Sequence, residues 1–151
     1  MRPLLALMLL VTTAGCDGDN TPGSSTRPVY CTVMADPVTR ESVGKNGTGD
    51  HLVAPAHFRC DKPGPDTLAL TVALQHKVNG QWVTLVSQQF TAKGADTTRA
   101  RSEADRIRKV VAPCAEGVFR TNLEGTGVSR GVKTAYAMHG LAITNPCRRL
   151  V

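Results

Sequence analysis

Several groups of residues in this 151-residue chain carry side chains capable of chemistry. Gly127-Val128-Ser129-Arg130-Gly131 matches Gly-x-Ser-x-Gly, the pattern in which a turn presents a serine nucleophile to an acyl carbon. That chemistry needs an acid and then a histidine further along the chain. No Asp or Glu follows Ser129, and His139 is the only later histidine, so the pattern reads as a glycine-rich turn. The four histidines, His51, His57, His76 and His139, include no pair at the short spacing that sets two metal ligands on one face. No Cys-x-x-Cys occurs either. With no acid–base pair, activated nucleophile or ligand set to assemble, the residues predict no catalytic centre, no metal and no cofactor.

The cysteines are the most informative of the reactive residues. There are five: Cys16, Cys31, Cys60, Cys114 and Cys147. An odd thiol in an exported protein requires an explanation, and the leader supplies one. Met1-Arg2-Pro3 precedes the apolar run Leu4 to Val11, whose eight residues fall far short of the roughly 20 that span a bilayer. One positive charge, a short apolar core and a small-residue exit describe an export signal over residues 1–15. The exit, Ala14-Gly15-Cys16, resembles the bacterial lipobox, although Thr13 stands where Leu is usual. That resemblance implies a diacylglycerol thioether on Cys16 as the first mature residue. Ordinary cleavage near Ala14 or Gly15, which would release a soluble protein, is the alternative. Buried acyl chains contribute about 0.8 kcal/mol per CH2, so more than one chain makes a stable membrane anchor.

Setting Cys16 aside leaves four cysteines, which read as two disulfides in an oxidising compartment. Cys31–Cys60 and Cys114–Cys147 is the expected pairing, because it ties neighbouring segments at each end of the domain. Each bridge closes a loop of about 30 residues, worth roughly 3–4 kcal/mol in the chain-entropy model. The rival is an immunoglobulin-like Cys60–Cys114 bridge between sheets. Against it, Ala112 occupies the position two before the second Cys where such domains carry Tyr.

The charge is net basic, with 18 Lys+Arg against 12 Asp+Glu and a formal net charge of +6. Arg99, Arg101, Arg106, Arg108 and Lys109 fall in one stretch. They form either a solvated face or a patch that meets an acidic partner: anionic lipid heads, an acidic envelope polymer or an acidic protein. Nucleic acid is not expected, because the protein is exported and aromatics do not interleave with the charges as stacking platforms would.

The elements that must position these residues are short strands. Asp17 to Pro28 is polar and rich in Gly, Ser, Thr and Pro, so residues 16–28 read as an anchor and a disordered tether reaching about 20 Å. Residues 29–151 form the folded domain. Val29 to Met34 is β-branched and predicts a first strand; Ala35 to Asp50 reads as a glycine-rich mobile loop. His51 to Cys60 predicts a second strand, interrupted by Pro55 or held by it to a sheet edge.

The clearest signal is a long hairpin. Leu68, Leu70, Val72 and Leu74 alternate, with His76 and Val78 in the same phase, and Asn79-Gly80 turns the chain into Gln81 to Phe90. That phase makes His76 a rim or core histidine. Ala92 to Val111 fits a short helix capped by Ser102 and Asp105, or a strand over Arg106 to Val111; the strand is preferred. Glu116 to Glu124 and Val132 to Thr144, the latter broken at Gly140, complete the set. Short strands at regular spacing, glycine turns and no long helical period predict an all-β fold: a small antiparallel immunoglobulin-like β-sandwich with two disulfides, acting as a monomer.

The leader, the tether and Pro113-Cys114-Ala115-Glu116-Gly117-Val118-Phe119-Arg120 together resemble the small exported lipoproteins of high-GC Gram-positive bacteria and their phages. The resemblance implies a lipid-anchored protein at the extracytoplasmic face of the cell membrane, and supplies no catalytic residues. The expected function is non-catalytic binding of an envelope component, with phage exclusion as one form of it. The alternative is a secreted inhibitor of an extracellular protease or other hydrolase, presenting the loops Gly44 to Gly49 and Asp61 to Asp66.

Overall fold

The computed structural model describes residues 27–42, 49–98 and 106–148. The leader, Cys16, most of the tether, most of the Gly44 to Gly49 loop, Arg99, Arg101 and the capping pair Ser102 and Asp105 lie outside the described residues. The chain is all-β: β1 (Cys31–Ala35), β2 (Thr39–Ser42), β3 (Asp50–Cys60), β4 (Thr67–Val78), β5 (Gln81–Ala92), β6 (Ile107–Pro113), β7 (Val118–Ser129), β8 (Val132–His139) and β9 (Ile143–Thr144). A 3-10 turn at Gly94–Thr97 leads out of β5.

The strands form two antiparallel sheets. In the first, β3 is central, with β6 on one side and β1 and β2 sharing the other. β1 pairs with the end of β3 (Ala35 opposite Ala56) and β2 with its start (Thr39 opposite Val53). The two are one edge strand broken at residues 36–38. In the second sheet the order is β5, β4, β7 and then β8 continued by β9. Numbered by position, this is the immunoglobulin-like arrangement with one change. The strand after β4 pairs with β4 in the second sheet, where constant-type domains place it in the first.

The alternation written in the sequence builds the core. Leu52, Ala54, Ala56, Phe58 and Cys60 of β3 face Leu68, Leu70, Val72 and Leu74 of β4 and Phe119 and Leu123 of β7, all nearly or wholly buried. His76 lies at the rim, its ring stacked on Phe119 at 4.7 Å. Val78 leaves the buried phase and is half exposed, because the hairpin tip extends beyond its last pairing with β7 at His76. A bulge after Leu74 inserts Leu85 into β5.

Both expected disulfides are present, Cys31–Cys60 and Cys114–Cys147. The first joins residues directly opposite in the β1–β3 pair, within one sheet. The inter-sheet alternative is excluded, since Cys60 already has its partner.

Two expectations for the first sheet are corrected. The span Ala35 to Asp50 is not wholly loop, because Thr39–Ser42 pairs with β3. Its polar composition concealed a strand that is mostly exposed. β3 is not an edge strand either, despite Pro55. The Pro55 carbonyl accepts the Asp36 N–H at 3.0 Å, so the polar edge of Pro55 faces the break between β1 and β2. A strand residue directs its N–H and C=O to the same side, so the missing proline donor falls where the ladder is already interrupted.

Candidate functional site

The outward positions of the first sheet form the candidate site. The register places Thr32 beside Arg59, Met34 beside His57, His57 beside Ile107, Pro55 beside Lys109, and Val53 between Thr39 and Val111. These side chains stand on the face away from the core, since a strand alternates its side chains between faces. Two clefts open on this face and share His57. The larger, about 520 Å³, is lined by Asp36, Pro37, Thr39, Pro55, His57 and Ile107, with Glu41 and Lys109 at its end. The smaller, about 340 Å³, is lined by Thr32, Met34, His57, Phe58, Arg59 and Arg106. Both volumes fall in the roughly 300–1,000 Å³ range of small-ligand sites.

An Asp36–His57 contact and a Lys109–Glu41 ion pair frame the larger cleft. The His57 Nδ1 meets the Asp36 carboxylate, which the β1–β2 break brings over β3. Lys109 Nζ reaches Glu41 Oε2 at 2.9 Å, crossing from β6 to β2 above β3. That crossing explains Val53, which points outwards by phase yet is only 1% exposed. From the opposite sheet, Gly140 supports the same corner: a Cβ there would lie 2.5 Å from the Asp36 carbonyl oxygen. The site's shape therefore depends on the break in the last strand as well as on the break between β1 and β2.

The described members of the basic stretch, Arg106, Arg108 and Lys109, do not share one face. Among its described members, Arg106 lines the smaller cleft. Lys109 faces outwards and pairs with Glu41. Arg108 has the inward phase beside Ala56, and its guanidinium lies 5.1 Å from the Phe58 ring and 5.9 Å from the Phe90 ring. It closes the core where β6 and β5 meet. Sequence reading missed Pro37, Pro55, His57 and Ile107 as a group. The signal that finds them is the β3 alternation continued through Pro55, with His51, Val53, Pro55, His57 and Arg59 all opposite in phase to the core.

The remaining candidate residues have structural places. Gly127–Ser129 ends β7, and Arg130-Gly131, with positive φ of 52° and 78°, makes the hairpin turn to β8. Ser129 is buried, and its Oγ accepts the Val29 N–H at 2.9 Å, holding the start of the domain. The Asp61 to Asp66 loop is a tight turn closed by the Gly64 N–H on the Asp61 carbonyl, with the Asp66 carboxylate accepting the Arg130 N–H. Among the described residues no group of three metal-ligating side chains converges.

No protein-family model and no curated protein matches this chain.

Proposed function

We propose that this protein is a binding lipoprotein of the bacterial cell envelope, anchored through Cys16 and tethered by residues 17–28. On this reading it engages an envelope component with the outer face of its first sheet and does so without catalysis. The observation that carries the reading is the pair of clefts around His57. A sheet face that served only as a solvated surface would have no need of a recess lined by Pro37, Pro55 and Ile107 and framed by the Asp36–His57 contact and the Lys109–Glu41 ion pair. The two disulfides support an oxidising location outside the cytoplasm.

Two measurements test it. Intact mass of the mature protein exported by a bacterial host should show a diacylglycerol on Cys16, and a Cys16→Ser variant should appear in the culture fluid. A photo-crosslinker placed at Ile107 should capture a specific envelope component, and Ile107→Glu should abolish co-purification with it. Retention of full capture by Ile107→Glu would move the binding face elsewhere, and an unmodified mature N-terminus would remove the anchor.

A further inference from the structure

We propose that the two clefts form one site for a single-chain anionic amphiphile, with a phosphate or carboxylate head at Arg59 and Arg106 and an apolar body along Pro55 and Ile107. The proposal rests on the outer face of the first sheet being the binding face. Arg59 and Arg106 line the smaller cleft together, with Thr32 opposite Arg59 in the β1–β3 pair. Among the described residues neither arginine has a carboxylate partner. Among the described residues the Arg106 Nε is buried with no acceptor. A buried donor left unpaired costs free energy, and a charged one costs more. An anion in the cleft would satisfy it, and a guanidinium pair matches the geometry of carboxylate and phosphate oxygens.

The other end of the site asks for the opposite chemistry. Beyond His57 the floor is Pro37, Pro55 and Ile107, and Met34 flanks the passage with half of its surface exposed. Here the Asp36 carboxylate meets the His57 ring and Glu41 pairs with Lys109, so among the described residues this end offers apolar surface and no unpartnered lysine or arginine. A ligand that fits both ends is charged at one terminus and apolar along its length.

A single molecule suits the face better than a bilayer surface does. Laying this face on anionic headgroups would press the Asp36 carboxylate against like charge, whereas a monomer places its only charge at the arginine end. The shape agrees: the contact groups line two clefts that share His57.

Calorimetric titration of the full chain with monomeric octyl phosphate and octanoate, below their micellar concentrations, tests this. Inorganic phosphate, octanol, phosphatidylglycerol vesicles and an acidic peptide serve as comparators. Octyl phosphate should bind at least about tenfold more tightly than inorganic phosphate or octanol, since each comparator lacks one end of the ligand. Arg59→Gln and Arg106→Gln should each weaken it by about tenfold, and Arg59→Lys should recover only part of the loss. Lys77→Gln, on the second sheet, should leave it unchanged. Arg59 is exposed, so Arg59→Gln tests the anion end even if Arg106→Gln disturbs folding. Equal affinity for octanol, indifference to the arginine variants, or stronger binding to vesicles or to the acidic peptide would each overturn the proposal. Failure to bind octyl phosphate while Ile107→Glu still abolishes envelope capture would overturn the ligand class and leave the binding face standing.

Discussion

Arg108 separates a structural reading of the basic stretch from a binding one. Replacing it by Ala removes a guanidinium that sits 5.1 Å from the Phe58 ring and 5.9 Å from the Phe90 ring, and that donates to the Ile107 carbonyl at 3.0 Å. Two partly desolvated cation–π contacts contribute about 1 kcal/mol each, and the lost packing of the aliphatic stem adds up to about another 1 kcal/mol. The expected loss of 2–3 kcal/mol corresponds to a fall in Tm of about 8–12 °C for a domain of this size. Lys109→Ala removes an ion pair whose two side chains are each 49% exposed, so it should cost less than about 1 kcal/mol. Adjacent basic residues should thus differ at least twofold in their effect, measured by thermal melts followed by circular dichroism. Arg108→Lys, which keeps the charge but loses the planar stack, should recover less than half of the loss. A double-mutant cycle between Arg108→Ala and Phe90→Leu should give a coupling of about 0.5–1 kcal/mol. If Arg108→Ala melts with the wild type, or if Lys109→Ala is as damaging, then Arg108 does not close the core and belongs with the surface charges.

Other outcomes follow from the same structure. Replacing both Cys31 and Cys60 by Ala should lower unfolding free energy by about 3–4 kcal/mol, from a sequence separation of 29, checked by urea titration. Reduction of the intact protein should add four hydrogens, two per bridge, by mass spectrometry. Gly140→Ala should destabilise the fold by about 1–3 kcal/mol, because its Cβ would lie 2.5 Å from the Asp36 carbonyl oxygen, and NMR should show His57 resonances shifting with it. Ser129→Ala should cost about 1–2 kcal/mol and raise hydrogen exchange at Val29, whose N–H loses its acceptor.

The parts of the fold that were legible in the sequence are those where a single local rule decides. Asn79 and Gly80, at φ of 50° and 82°, make the hairpin turn that the dipeptide signals, and Leu68 to Leu74 alternate into the core as written. The nearness of the paired segments in the sequence favoured the observed disulfides over a Cys60–Cys114 bridge without deciding between them, and the structure decides it. The misreadings arose where two rules competed. Pro55 argues for an edge by the donor it lacks, but the β1–β2 break removes the need for that donor. Thr39–Ser42 has no apolar period to announce it, since an edge strand that is mostly exposed can be polar throughout. The clefts escaped notice for a related reason. They are assembled from β1, β2, β3 and β6, and only the register brings Pro37, Pro55 and Ile107 together.

The register also accounts for how one run of cations comes to serve different ends. β6 is pleated, so consecutive residues leave it on opposite faces. Arg108 and Val110 take the inner phase beside Ala56 and Ala54, while Ile107 and Lys109 take the outer phase beside His57 and Pro55. A one-residue slip of β6 would reverse both assignments. It would place Lys109 among Phe58 and Phe90 and turn Val110 to solvent. Val110, 3% exposed in the core, and Ala112 opposite Leu52 forbid that slip. The apolar residues of β6 thus fix which cation closes the core and which stands at the mouth of the groove. Arg106, one residue before the strand begins, escapes the alternation and is left to line the smaller cleft.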